Sequence, residues 1–499
     1  MIKEPENYDW AAAARALSPE TRLFINGEFA DAADGKRLAV VNPATGETFA
    51  EAAAGGEKDI NRAVAAAAAH KNAVWRGLPP RKRAAILQKF ADNVKQNAAT
   101  LALLDTLCMG KPIAQSYGGD IPEVVKTLRF FAESIDKLEG KVTATRRDIL
   151  HYVLREPLGV VGAVSPWNYP ALMAAWKFAP ALAAGNTVVL KPAEQAPLSC
   201  LLMGKLFAEA GGPDGVFNVV SGFGETAGQA LARHSDVAKI SFTGSTEVGK
   251  KMLVYAGESN MKRVGLECGG KSPQIFLDDL PDMDAAAAAA ADGIFANAGQ
   301  VCNAGSRLLI DGKLHDEFTE KFAAAAAAYR PGDPLDWNTT LGPLVTHADQ
   351  KRVLACIDSG VQAGARLALG GGAPDNLPGG AFVSPTLLAD APRESALARE
   401  EVFGPVAATL KFKDAKDAVA LANDSIYGLA AAVWTRDIAR AHRAVRDLEA
   451  GVIWVNCFQE DDMTQPFGGY KQSGNARDKC FESLLEYTQL KSAWVNIEG

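Results

Sequence analysis

The sequence predicts an α/β protein of two consecutive domains, each organised around a mostly parallel sheet. From residue 160 onward, short β-rich runs alternate with helical stretches: GVVGAVSP, NTVVLKP, VFNVVSG and AKISFTG are each followed by a helical pattern. Strands separated by helices of this length call for crossover connections. A second series follows residue 267, with QIFL, SRLLI, VAATLKF, AAAVWT and GVIWVN as its strands. The length of 499 residues also exceeds one compact domain; at roughly 150 residues per domain it suggests about two or three.

The elements follow in order. Alanine runs at 65–69, 285–291 and 323–328 lie inside longer helical patterns, as expected of the best helix former. Residues 81–108 set Leu87, Phe90, Val94, Leu101 and Leu104 at helical spacing, which reads as one long helix ended by Gly110-Lys-Pro112. Residues 121–138 repeat the pattern with Val124, Val125, Leu128, Phe131 and Ile135. Two further runs, 146–156 and 490–497, read as strands outside both series. They can pair with each other within the protomer or with a neighbouring subunit. Residues 158–190 carry only one charged side chain, Lys177, yet Pro166, Asn168, Pro170, Pro180, Gly185 and Asn186 cut the stretch into strand, loop, helix and strand rather than a membrane span.

Composition narrows the function classes. Hydrophobic residues make up 48% and charged residues 22%, an ordinary globular balance. Fifty-two Lys+Arg against 59 Asp+Glu leave a net charge of −7 with no basic tract, which argues against nucleic-acid binding. Seven cysteines are too sparse for a disulfide scaffold, and no secretory signal is visible at the start, so the expected compartment is the reducing cytoplasm.

Three segments have the grammar of a dinucleotide site. VFNVVSGFGETAGQAL sets Gly222, Gly224 and Gly228 between an apolar run and a helix, one residue longer than the usual fingerprint. In AKISFTGSTEVGKKML, a strand runs through Phe242 into Gly244-Ser245-Thr246, and the free N–H groups of the helix start suit a phosphate. Ser245 equally reads as an ordinary helix cap. Lys191 and Glu194 stand at a strand's carboxyl end, where a carboxylate can accept both ribose hydroxyls and repel a 2′-phosphate, favouring NAD over NADP. A plain salt bridge is the alternative.

The sharpest local signal is FANAGQVCNAGSR, residues 295–307, where small residues leave Cys302 approachable. A thiol with a pKa near 8.5 is only about 3% thiolate at neutral pH, so a nucleophilic cysteine needs donors or a base. None of the six histidines lies in a comparable glycine-rich setting, which argues against a papain-like hydrolase. Glu267, in VGLECGGKSP, fits better: burial at an apolar strand end raises a carboxyl toward neutrality and makes it a general base.

Together these motifs closely resemble the aldehyde dehydrogenase superfamily over essentially the whole chain. The matching segments are SPWNYP (165–170), KPAE (191–194), FTGSTEVG (242–249), LECGGKSP (266–273), GQVCNAGSR (299–307), EEVFGP (400–405) and PFGGYKQSG (466–474). The resemblance implies a Rossmann-like cofactor domain from residues 1–129 and 157–266 and an α/β catalytic domain from 267–475. A small β oligomerisation element would come from 130–156 and 476–499. It implies Cys302 as nucleophile, Glu267 as general base and Asn168 as oxyanion donor, a role typically worth about 3 kcal/mol of barrier. Cofactor contacts would come from Ser165, Trp167, Lys191, Glu194, Gly224, Phe242, Gly244, Ser245, Val248, Glu401 and Phe403. No metal is implied. Glu267 favours hydrolysis of a thioester over transfer to coenzyme A. Two departures stand out: Cys268 replaces a commonly apolar residue, as a core filler or a second oxidisable thiol, and Asp478 replaces a commoner glutamate beside Lys177.

The substrate side would be lined by Tyr169, Met173, Trp176, Asn303, Asp461, Asp462 and Phe467. With Glu460, the two aspartates make the loop before Pro466 acidic, which favours cationic aldehydes. The runs at 254–263, 462–464 and 471–479 are most similar to the γ-glutamyl-γ-aminobutyraldehyde and 4-guanidinobutyraldehyde dehydrogenases of bacterial polyamine catabolism. The expected substrate is a polyamine-derived ω-amino aldehyde, with betaine aldehyde or broad aliphatic oxidation as the alternative. A non-enzymatic relative of the fold is the rival from another class, but it need not keep Cys302, Glu267 and Asn168 together. The resemblance also implies a homodimer or homotetramer.

Overall fold

A computed structural model describes residues 4, 5, 8–70 and 74–498. The first alternating series forms a seven-stranded sheet in the order Arg263–Glu267, Val237–Thr243, Val160–Val164, Thr187–Lys191, Phe217–Val219, Leu23–Ile25, Glu28–Ala30. The four strands of the series and Arg263–Glu267 are parallel; Leu23–Ile25 joins antiparallel to Phe217–Val219 and makes a hairpin with Glu28–Ala30. The parallel strands read as near-continuous apolar runs because helices cover both faces, and every residue of Val160–Val164 and Thr187–Lys191 is buried.

The second series forms another seven-stranded sheet, in the order Arg366–Leu369, Thr386–Ala389, Val406–Phe412, Arg307–Asp311, Pro273–Phe276, Ala430–Trp434, Val452–Val455. Arg366–Leu369 alone is antiparallel to its neighbour. All five expected strands are present; the edge pair 366–369 and 386–389 is additional, and it has a register shift between Leu367 and Leu369.

Residues 146–156 and 490–497 do pair with each other. Ile149–Pro157 runs antiparallel to Thr488–Asn496, with Lys141–Thr143 on its other side. This three-stranded sheet leaves Val142, Leu150, Leu154, Leu490, Trp494 and Ile497 exposed.

One element differs from its periodicity. Residues 81–108 form two helices, Pro80–Gln96 and Ala98–Met109, broken at Asn97. The Asn97 side chain donates to the Asn93 carbonyl at 2.8 Å, a local bond that competes with the helical ladder. The second helix is buried all round from Leu101 to Met109 rather than along one stripe, so its apolar residues carry no facial signal. Gly110 ends it in the left-handed region at φ 81°. Residues 158–190 are strand, loop, helix and strand, and among the described residues no helix is long and apolar enough to cross a membrane.

The strand order locates the functional crevice. The chain leaves Val160–Val164 for Thr187–Lys191 and Phe217–Val219 on one side, then returns to the other with Val237–Thr243 and Arg263–Glu267. Ligands of open α/β sheets bind at the carboxyl ends beside such a reversal, which here means residues 165–169 and 243–245. Residues 268–272 then carry the chain directly from the end of this sheet to the first strand of the other.

The strand that ends at Glu267 is braced by the distant Gly474, which bridges to it at φ 137°. A side chain there would be strained and would clash with the Leu266 carbonyl oxygen. Gly474→Ala should therefore destabilise the protein by about 1–3 kcal/mol, read as a lowered unfolding midpoint; an unchanged midpoint would show that the brace is slack.

Candidate active site

A cavity of about 430 Å³ lies between the two sheets. Trp167, Asn168, Tyr169, Met173 and Trp176 reach it from the loop after Val160–Val164 and from helix Pro170–Ala183. Pro170 opens that helix at a position where its missing N–H costs nothing, and all fourteen helical residues are buried. Gly244 and Ser245 enter from the end of Val237–Thr243, Cys302 and Asn303 from the loop before Arg307–Asp311, and Glu401, Phe403, Asp461 and Phe467 from later loops. Trp167 and Phe403 meet edge to face at 5.4 Å, as do Trp176 and Phe467 at 5.3 Å.

The loop that presents Cys302 is held under backbone strain. Asn297, Ala298 and Gly299 all have positive φ, at 48°, 53° and 71°, and a Cβ on Gly299 would clash with the Gly404 carbonyl. Gln300 is the clasp: its side-chain amide donates to Asn297 O at 3.2 Å, and its oxygen accepts from Val345 N at 2.9 Å. The Asn168 amide donates to Gln300 O at 2.9 Å, while Asn297 donates back to Asn168 O at 3.0 Å. These bonds fix the Asn168 amide beside the Cys302 loop and leave its second N–H free. Asn297 and Gln300 are the positioning residues that sequence reasoning missed. Asparagine two places before a glycine was the available signal, since it tolerates the left-handed region.

Burial raises the acidic groups at Cys302, Glu267 and Glu401. Burial, followed by the negative charges of Glu401 and Glu267, pushes the Cys302 thiol up to about 12; the N–H groups of Asn303 and Cys302 pull the other way. Glu267 is buried, and among the described residues neither of its carboxylate oxygens has a hydrogen-bond partner. Burial and the nearby Asp478 raise it well above the ordinary carboxyl value, against the opposing charges of Lys177 and Arg477. Glu267 therefore has the raised basicity expected of it, but stands behind the cavity wall rather than among the lining residues. Burial lifts Glu401 to about 7, while its carboxylate accepts from Gly270 N at 3.0 Å. Asp478 forms a buried ion pair with Lys177 at 2.5 Å.

Of the expected cofactor residues, Ser165, Lys191, Glu194, Gly224, Phe242 and Val248 lie away from the lining. Ser245 caps helix Thr246–Gly257 by accepting from Val248 N at 3.2 Å, so cap and cavity-edge readings hold for the same side chain. Phe242 is buried beneath Gly244, and Ser165 is buried at the end of its strand. Lys191 pairs with Glu194 at 3.0 Å, its ammonium buried and its partner part exposed. Of the glycines in the 222–228 run, Gly222 is the one packing requires, because a Cβ would clash with Gly55; at Gly224 it would meet open space.

The acidic loop differs from expectation. Asp462 does not line the cavity: its carboxylate accepts from Thr464 N and Oγ1 at 2.9 and 2.7 Å, closing a local turn. Asp461 does line it, but its carboxylate is ion-paired to Lys479. Glu460 contributes its backbone carbonyl to the Trp454 indole N–H at 2.9 Å. Trp454, Gln459 and Gln465 complete this wall and carried no sequence signal beyond nearness to the loop.

A profile described as the aldehyde dehydrogenase family matches residues 29–493. The NADP/NAD-dependent aldehyde dehydrogenase PuuC of Escherichia coli K12 is 48% identical over 491 residues, 98% of each chain. The structure of a γ-glutamyl-γ-aminobutyraldehyde dehydrogenase from Burkholderia cenocepacia J2315 superposes with a TM-score of 0.96 at 48% identity, covering 98% of this chain and 99% of that one. A mutant of the indole-3-acetaldehyde dehydrogenase AldA of P. syringae, solved with NAD+ and IAA, gives 0.97 at 47% identity, with the same coverage. With the Cys302 loop and the amide clasp in one crevice and this likeness end to end, the chain belongs to the aldehyde dehydrogenase family.

Proposed function

We propose that the protein oxidises ω-amino aldehydes of polyamine origin to their carboxylic acids, with NAD or NADP as hydride acceptor. The carrying observation is one crevice in which an approachable thiol, Cys302, faces a clamped amide, Asn168, with the Glu267 carboxyl close enough for its charge to bear on the thiol. The residues present fit a dinucleotide. The helix start at Ser245 opens onto the crevice, and among the described residues the buried Thr243 hydroxyl on the lining has no partner. Lys191 and Glu194 would hold the adenosine ribose, Ser245 the pyrophosphate and Glu401 the nicotinamide ribose, with Phe403 and Trp167 flanking the ring. When bound, the nicotinamide supplies the hydride acceptor.

The chain's own residues do the rest. The Cys302 thiol gives its proton to solvent, its sulfur adds to the carbonyl carbon as the C=O π bond opens, and the oxygen becomes an alkoxide beside the Asn168 amide and the Cys302 backbone N–H. Hydride loss leaves the acyl group on Cys302 as a thioester. Glu267 takes a proton from water, the hydroxide attacks the thioester carbon, the C–S bond breaks, and the thiol is regenerated with release of the acid. Because burial holds Cys302 as thiol and Glu267 as acid, both must lose a proton before they act.

The name of the Burkholderia enzyme supports an aminobutyraldehyde-type substrate, and so does the position of Asp461 on the cavity wall. The aromatic wall of Trp167, Tyr169, Trp176, Trp454 and Phe467 supports a second reading, an aryl-acetaldehyde, in line with the name of AldA. A homo-oligomer, dimer or tetramer, is supported by the exposed apolar side chains on the two faces of the sheet of Ile149–Pro157 and Thr488–Asn496, and seven free cysteines suit a reducing cytoplasm.

A steady-state panel with NAD tests the substrate. Aminobutyraldehyde should exceed both succinic semialdehyde and indole acetaldehyde in kcat/KM; equal or better turnover of succinic semialdehyde would overturn the charge argument. Cys302→Ala should abolish reduced-nicotinamide formation while leaving cofactor binding measurable by fluorescence titration. For the raised groups the sign is fixed: their reactive forms gain population as pH rises, so kcat/KM should climb by about tenfold per unit on the acid limb. Glu267→Gln should lower kcat by roughly 10²- to 10⁴-fold; an unchanged kcat would remove the base from the mechanism.

A further inference from the structure

Among the described lining residues of the cavity, the charged ones are Arg352, Glu401 and Asp461. Asp461 is the one on the acidic loop, and its ion pair with Lys479 is lopsided. The Lys479 side chain is 2% exposed and that of Asp461 is 46% exposed, so the anion faces the opening and the cation is hidden behind it. The Lys479 ammonium also lies 5.5 Å from the centroid of Trp176, which packs on Phe467 in the cavity wall. Glu123 is the further acidic neighbour that bears on it.

The backbone holds this cation in place at a cost. Lys479 has φ 63° and ψ −151°, a conformation foreign to a residue with a side chain. It persists because both neighbours are tied to the wall: Asp478 and Phe467 exchange backbone hydrogen bonds at 2.7 and 3.1 Å, and Cys480 N donates to Met463 O at 2.8 Å. A strained residue that delivers a buried ammonium to the back of a wall carboxylate has a position the surrounding structure over-determines.

We propose that Lys479 is a specificity-determining residue for aldehyde oxidation, setting through its ion pair how much negative charge Asp461 presents to the substrate's tail. With the pair intact the buried cation offsets part of the carboxylate's charge, which holds the preference for a cationic tail below what the bare carboxylate would give. Removing the cation exposes the carboxylate, and removing the carboxylate exposes the cation. This rests on the proposed aldehyde oxidation but not on the choice of an amino aldehyde.

The test compares trimethylammoniobutyraldehyde with its uncharged tert-butyl isostere, two tails of equal size whose charge does not change with pH. Lys479→Met should raise the ratio of kcat/KM values, cation over neutral, by about tenfold, and Asp461→Asn should lower it by about tenfold, the change falling in KM. Lys479→Arg should keep the wild-type ratio, and the double variant should return to it within about threefold. If Lys479→Met fails to fold, Asp461→Asn against wild type reads the same charge from the other partner. Substitutions that slow both aldehydes equally, or move the ratio in the same direction, would overturn the proposal. The wild-type ratio separately tests the amino-aldehyde reading, so either can fail alone.

Discussion

The buried ion pair between Lys177 and Asp478 is the contact on which the site is assembled. Lys177 belongs to the helix whose first turn follows Asn168 and Tyr169, and Asp478 comes from three hundred residues later in the chain. Two charges this deep cost several kcal/mol each to desolvate, and losing one partner typically costs about 3–5 kcal/mol, so the pair tolerates no slack. Its consequences run in both directions. The Asp478 charge lifts the Glu267 carboxyl, and its backbone is hydrogen-bonded to Phe467 in the cavity wall. The next residue, Lys479, carries the wall's hidden cation.

Around this pair the protein excludes net negative charge from the reaction centre. Cys302, Glu267 and Glu401 are all raised, each chiefly by burial, and the two carboxyls add to the difficulty of ionising the thiol. Such an arrangement keeps the nucleophile protected and neutral until substrate and solvent enter. It also explains why the amide clasp matters: Asn168 and the loop N–H groups are neutral donors, able to meet an alkoxide without adding a counter-charge that would hold it.

Much of this was legible in the linear sequence, and the failures have physical causes. Parallel strands buried on both faces are short continuous apolar runs, so the runs at 160–164, 187–191 and 307–311 could be read directly. The break at Asn97 could not, because a local side-chain bond interrupts the helix while the apolar spacing continues on both sides. Cys302 and Glu267 stood out through the small residues that surround them, whereas Asn297 and Gln300 act through backbone carbonyls brought together by strain, and any polar residue type conceals such a role. The acidic loop was the plainest misreading. Three carboxylates in a row count as three charges in a sequence, yet one faces the cavity, one closes a turn and one lies outside the lining.

The sequence alone determined the family: the settings of Cys302, Glu267 and Asn168 are local, and local settings are written in order along a chain. It also determined the two alternating series and the two lone strands, because hydrophobic periodicity reports what each segment must bury. Only the tertiary structure decided that those lone strands pair within one protomer, that Glu267 is flanked by Asp478 rather than left alone, and that Asp461 is neutralised by Lys479. These are encounters between distant segments, and charge at a point in space is the sum over everything that folding brings near it.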